Sequence, residues 1–304
     1  GLGIVSIAKI YSEVSTDMTL NVVRLANDGY VGLMTSHSAD RLVTDSAASG
    51  TAMATGHKTS NGMVGMLPDG TVLKNIFEEA YAAGKSVGVV TTTSVTDATP
   101  ASFLAHSRSR TNHEEIALQI IEGNATVVLG GGLRYFLPPE RGARSDGRDL
   151  TEEATKKGFD VVFTRQGLIA SKGTRLLGLF ASGVMPYERA RNTKKIPSLS
   201  EMVAKALDLL SKDEDGFVLV VEGGRIDHAE HENNIADALG DFFAFDAAVG
   251  LVMEYASENP GIAIIVTADH DCGGPAITAT PRGYPTYEEI DSLVGSMCPF
   301  VKWV

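Results

Sequence analysis

Four short stretches of this chain gather most of its side chains that can do chemistry. In Val43-Thr44-Asp45-Ser46-Ala47-Ala48, hydroxyls and one carboxylate sit just ahead of Ala47 to Met53, a run that can propagate a helix. Asp45 or Ser46 can cap it, because a short side-chain oxygen accepts from the free N–H groups of a first turn. That helix start also collects positive partial charge and unpaired donors, which suits phosphate and would hold the Ser46 hydroxyl where a bound phosphorus could sit. Asp97-Ala98-Thr99-Pro100 offers a carboxylate and a hydroxyl to a hard cation such as Mg²⁺, and equally suits a turn into Pro100. In Glu222-Gly223-Gly224-Arg225-Ile226-Asp227-His228-Ala229-Glu230-His231, Asp227 and His231 are four apart. They share a face if a helix begins there, and such an O and N pair suits Zn²⁺. Glu222 ends an apolar run, where a buried carboxylate needs a partner or a metal. Asp269-His270, followed by Asp271-Cys272-Gly273-Gly274, is a further metal signal. Cys272 reads as a small packed thiol rather than a soft ligand, since no second cysteine is near. Arg110 follows a polar turn; its guanidinium could grip two phosphate oxygens, although alone it reads as a surface arginine.

Singly these signals are modest. Together they are the inventory of metal-assisted phosphoryl transfer. Cations lower the pKa of a hydroxyl or water, a serine attacks, and an arginine stabilises charge on the non-bridging oxygens.

The elements that must position them follow from hydrophobic periodicity. Strands are expected at Val87 to Thr93, Thr126 to Leu129, Phe159 to Phe163, Leu176 to Phe180, Phe217 to Val221 and Ile262 to Thr267. Helices are expected from Ile4 onward and at 71–84, Asn112 to Glu122, Thr151 to Lys157, Leu199 to Leu210 and Ile235 to Tyr255. Strands alternating with helices predict an α/β, three-layer sandwich with a mostly parallel central β-sheet and helices on both faces. In such sheets ligands bind beyond the carboxyl ends of the strands. Asp97, Glu222 to His231, and Asp269-His270 each fall just after an expected strand.

The chain has 304 residues, room for one large domain or two small ones, and a formal net charge of -12. That acidity argues against nucleic acid as the main partner, while leaving room for carboxylates that gather cations. No apolar run is long enough to span a bilayer. Two cysteines, Cys272 and Cys298, permit at most one internal disulfide.

The motifs Val43-Thr44-Asp45-Ser46-Ala47-Ala48, Asp97-Ala98-Thr99-Pro100, Val221-Glu222-Gly223-Gly224-Arg225-Ile226-Asp227-His228 and Thr267-Ala268-Asp269-His270 closely resemble those of alkaline phosphatases, in the same order and with similar spacing. The resemblance implies hydrolysis of phosphate monoesters through a phosphoseryl intermediate on Ser46, with Arg110 binding phosphate. It implies two zinc ions, one on Asp227 and His231 and one on Asp269 and His270, the latter activating Ser46. Asp97, Thr99 and Glu222 would hold one magnesium. Asp97 combined with His228 mixes residue types that vary in the family near this third metal, which leaves magnesium or zinc open there. The partners implied are small-molecule phosphate esters and inorganic phosphate; a homodimer and an extracytoplasmic home are compatible with the resemblance. The family also has a metal-binding aspartate directly before the Gly-x-Gly that is Gly1-Leu2-Gly3 here, and a late zinc-binding histidine, whereas no histidine follows His270. A single catalytic domain trimmed at both ends is therefore expected, lacking its first strand and its C-terminal zinc-ligand segment. Two alternatives stay open: a diester- or sulfate-ester-cleaving member of the same superfamily, and a non-catalytic phosphate-binding module.

Overall fold

The computed structural model describes residues 2–15, 18–277 and 301–302. They divide into two compact units. One, the sheet unit, comprises 35–186 and 192–222; the other, the helical unit, comprises the described parts of 1–34, 187–191 and 223–304.

The chain opens with α1 (Leu2–Ser15) and α2 (Asn21–Asp28) of the helical unit. The sheet unit then runs α3 (Ser46–Thr55), α4 (Ile76–Ala82), β1 (Ser86–Ser94), α5 (Ala98–Leu104), α6 (His113–Glu122), β2 (Val127–Gly131), α7 (Leu150–Lys156), β3 (Phe159–Val162), α8 (Arg165–Ala170), β4 (Arg175–Leu179), α9 (Leu199–Leu210) and β5 (Phe217–Glu222). The chain returns to the helical unit with α10 (Arg225–His231) and α11 (Ile235–Glu258), then two short paired strands, β6 (Ala276–Ile277) and β7 (Val301–Lys302).

The five strands of the sheet unit are all parallel, in the order β3-β4-β2-β1-β5. Both faces are covered, because side chains alternate along a strand. Val87 and Val89 pack with Phe77 of α4 and Ile116 and Ile120 of α6 in one core, while Gly88 between them faces Leu210 of α9. The expected α/β class and three layers are present. The chain leaves β1 toward β2, and β5 returns on the other side of β1. That makes the β1–β5 boundary a switch point, and in sheets of this kind ligands bind beyond the carboxyl ends of the strands at such a point.

Local chemistry sets the element ends. α4 begins at Ile76, later than periodicity suggests, because Asn75 and Glu78 form a reciprocal capping box. Asp97 caps α5, so the segment that suited a turn into Pro100 is a helix start, where proline in the first turn costs no hydrogen bond. In the helical unit, the buried Asp246 of α11 accepts from the backbone N–H groups of Asn21 and Val22 and so starts α2. Ile4, Ile7, Leu20, Ala238, Leu239 and Phe242 form this unit's own core.

One expected strand is absent. Residues 262–268 take no regular structure, with Ile265 86% exposed and Val266 37%. A β-rich sequence becomes a strand only when an edge supplies hydrogen bonds and a face to pack on, and no described strand pairs with this run. Cys298 and the prolines Pro281, Pro285 and Pro299 lie outside the described residues, and with them the question of a disulfide to Cys272.

Candidate active site

In the sheet unit the candidate residues converge on α3, α5 and the tips of β1 and β5. Ser46 is the first residue of α3. Asp45 caps that helix: one carboxylate oxygen accepts from Ala48 N–H at 3.0 Å, and the other accepts from Gly62 N–H at 3.0 Å. Gly62 has φ +86°, a conformation that favours glycine, and its carbonyl accepts from the Arg110 N–H at 2.8 Å. The guanidinium of Arg110 then donates to Asp45 and to Asp97, each at 3.2 Å. Both the backbone and the head of Arg110 are thereby tied to the residue that starts the Ser46 helix. Burial works against the charge of Arg110, but Asp97 and Asp45 more than offset it, and its pKa is raised.

α3 lies close on α5. A side chain at Gly50 would meet Ser102 Oγ at 2.8 Å and the Thr99 backbone at 3.4 Å, so the small residues of the motif allow the approach. Ser102 Oγ spans the two helices, donating to the carbonyls of Ala98 and Ala47. This contact places Asp97 and the buried Thr99 beside the start of α3.

Glu222 ends β5, in register with Thr91 of β1. Its Oε2 accepts from Thr91 Oγ1 at 2.5 Å and from Thr93 Oγ1 at 3.2 Å. Glu222 and Asp97 thus both belong to the carboxyl ends of the β1–β5 pair, with hydroxyl donors orienting the glutamate. The sequence reading passed over Thr91 and Thr93. The signal was there: a hydroxyl run, Thr91-Thr92-Thr93-Ser94, is buried along a central strand, and buried hydroxyls need partners. His113 was likewise passed over. It stacks on Tyr135 at 4.2 Å and contacts Thr96, and burial lowers its pKa against the pull of Asp97.

The helical unit holds the other candidates. α10 forms, so Asp227 and His231 do share a face, with His231 Nε2 3.5 Å from Asp227 Oδ2. Asp227 Oδ1 is buried with no hydrogen-bond partner among the described residues, an oxygen suited to a cation. Cys272 joins them: one ligand atom of each of Asp227, His231 and Cys272 lies within 4.8 Å of the other two. The packed-thiol reading of Cys272 thus meets a different setting, a thiol facing the Asp227 carboxylate and the His231 imidazole. Burial, then Asp227, pushes that thiol up to about 12. Asp269 and His270 form a second pair, with His270 Nε2 3.2 Å from Asp269 Oδ2 and His270 Nδ1 3.2 Å from the Asp271 carbonyl. Nε2 of His270 and the Asp269 carboxylate thus lie close enough for one cation to bind both. Both donor sets, carboxylate oxygen with imidazole nitrogen, fit zinc; the oxygen-only set of Asp97, Thr99 and Glu222 fits magnesium.

Among the described residues no helix is long and apolar enough to cross a membrane. The alkaline phosphatase family model matches residues 1–290. Alkaline phosphatase 4 of Bacillus subtilis is 39% identical over 256 residues, covering 82% of this chain and 54% of its own length. The chain therefore spans about half of that relative. The crystal structure of Thermus thermophilus alkaline phosphatase matches with a TM-score of 0.89 at 41% identity, covering 98% of this chain and 62% of that one. A mutant alkaline phosphatase from the Antarctic bacterium TAB5, with magnesium bound in its M3 site, matches with a TM-score of 0.81 at 32% identity, covering 95% and 81%.

Proposed function

The chain belongs to the alkaline phosphatase family, and on that premise we propose that it carries the machinery for hydrolysing phosphate monoesters through a phosphoserine on Ser46. The observation that carries the reading is the anchoring of Arg110 by Asp45 and Asp97 at the start of the Ser46 helix. A helix start gives unpaired N–H donors and positive partial charge, and a fixed guanidinium adds a planar pair of donors for phosphate oxygens. A dianionic monoester presents three oxygens to such a set. Bond making to phosphorus by Ser46 Oγ then requires that its proton leave, and Arg110 holds the charge that builds on the non-bridging oxygens.

Asp227 with His231, and Asp269 with His270, would each hold a zinc; Asp97, Thr99 and Glu222 would hold magnesium. Bound there, these ions would lower the pKa of the nucleophile and screen the phosphate charge. The magnesium assignment is supported by the donor set and by the TAB5 variant that binds magnesium in its M3 site. Placement outside the cytoplasm and a homodimeric assembly belong to the same proposal and rest on family membership.

Turnover of an aryl phosphate monoester beside the matching diester tests the reading. Preference for the monoester, loss of turnover in Ser46→Ala, and weakened inhibition by inorganic phosphate in Arg110→Ala are expected. Undiminished turnover in Ser46→Ala would sink the proposal.

A further inference from the structure

His113 occupies a place in the sheet unit that none of the motifs assigns. It opens α6, three residues after Arg110, and reaches the turn that follows β1. Its Nδ1 lies 3.2 Å from the Thr96 carbonyl oxygen and 3.0 Å from Thr96 Oγ1. A carbonyl oxygen only accepts, so for this bond Nδ1 carries the proton, and Thr96 Oγ1 is free to donate to Ser94 Oγ at 2.8 Å. On the other side of the same peptide, the Asp97 N–H donates to the Ser94 carbonyl at 2.9 Å. Both polar atoms of the peptide that carries Asp97 are thus held, one of them by His113. The imidazole is itself fixed. It stacks on Tyr135, with centroids 4.2 Å and planes 17° apart. The guanidinium of Arg144, 2% exposed and paired with Asp146, donates to the Tyr135 carbonyl at 3.1 Å and to the Glu114 carbonyl at 2.9 Å. One buried cation therefore ties down the backbone at Tyr135 and beside His113.

We propose that His113 is a positioning residue for phosphate binding: by fixing the Thr96–Asp97 peptide it sets the carboxylate against which the Arg110 guanidinium is aimed. The inference rests on the reading of Arg110 as the phosphate-binding arginine. Two rungs join residues 96–97 to residues 110–113, the Arg110–Asp97 pair at 3.2 Å and the bond from His113 to Thr96. The first rung is partly open to water, with the two side chains 33% and 21% exposed, and such a pair holds little by itself. Without the second rung the peptide is freer to rotate and the Asp97 carboxylate turns with it. The guanidinium then loses the orientation on which recognition of two phosphate oxygens depends.

Calorimetric titration of the zinc- and magnesium-loaded chain with inorganic phosphate reads the effect without turnover. His113→Phe keeps a ring for Tyr135 and removes the donor; phosphate affinity is expected to fall by roughly 3–10-fold, the range of one hydrogen bond. His113→Asn, whose amide nitrogen can stand where Nδ1 does, should recover most of that loss. In an Arg110→Ala background, His113→Phe should weaken phosphate no further, because its effect passes through Arg110. Tyr135→Leu removes only the surface the imidazole lies on; it should weaken phosphate in the same Arg110-dependent way, and it replaces His113→Phe in the test if that variant does not fold. Phosphate binding in His113→Phe equal to the parent, an asparagine variant as weak as the phenylalanine one, or a loss that persists undiminished after Arg110→Ala overturns the role of His113 and leaves that of Arg110 standing. Equal affinity in the parent and Arg110→Ala, or none in either, overturns the reading of Arg110 and this inference with it.

Discussion

Asp45 allows the sharpest test of how the sequence motif builds the site. One of its oxygens caps α3 through Ala48 N–H; the other serves Gly62 N–H and Arg110. Asp45→Asn keeps one oxygen, enough for either side but not both. Its amide turns donors toward the Gly62 N–H and the guanidinium, which donate themselves. The unsatisfied Gly62 N–H costs ~1–2 kcal/mol, and the screened pair with Arg110 adds ~0.2–1 kcal/mol. Asp45→Ala forfeits the helix cap as well, a further ~1 kcal/mol. The expectation is a loss of about 2 kcal/mol for the asparagine variant and about 3 kcal/mol for alanine, both large against a total of roughly 5–15 kcal/mol. Urea denaturation measures both. Equal losses in the two variants would refute the capping role. An asparagine variant as stable as the parent would refute the claim that Asp45 joins the Gly62 turn and Arg110 to the Ser46 helix.

Thr91→Val preserves shape but removes the shorter of the hydroxyl bonds to Glu222, at 2.5 Å, while the one from Thr93 stays. A loss of ~1.5–3 kcal/mol is expected by denaturation, with Thr91→Ser close to the parent; a valine variant of full stability would contradict the orienting role. Asp241 of α11 is 3% exposed, and burial raises its carboxyl pKa from 3.8 to about 6, against the Glu188 N–H it accepts. Between those values the native state holds a proton that the unfolded chain has released, so stability falls as pH rises. The loss approaches 3 kcal/mol on the order of two pK units. Asp241→Asn should therefore gain on the parent across about pH 4–6, and a constant difference between the two denaturation curves over that range would refute it.

Much of the sheet was legible because its strands are apolar runs separated by amphipathic helices. Val87 to Thr93 and Phe217 to Val221 name the two strands whose tips carry Asp97 and Glu222, and the observed strands differ by a residue or so. Where the reading failed, long-range pairing decided. Ile262 to Thr267 has strand composition, yet its exposed Ile265 finds no described edge to join. Composition records propensity, and only the partner supplies hydrogen bonds. The site follows the same division. Ser46 at a helix start, and Asp227 with His231 one turn apart, are local relations that spacing reveals. The hold of Asp45 on Arg110 spans 65 residues and that of Thr91 on Glu222 spans 131, distances at which residue types carry no sign of contact. Cys272 shows the limit most plainly. A lone cysteine gives no metal spacing, and folding alone brings it to α10.

The central claim is that Ser46 accepts the phosphoryl group. Incubating the zinc- and magnesium-loaded chain with inorganic phosphate, quenching in acid and sequencing its peptides by mass spectrometry tests that directly. The account predicts one phosphoryl group on the peptide at Ser46, absent from Ser46→Ala. A phosphoryl group on any other residue, or hydrolysis of a monoester with Ser46 never labelled and its alanine variant still active, would contradict it.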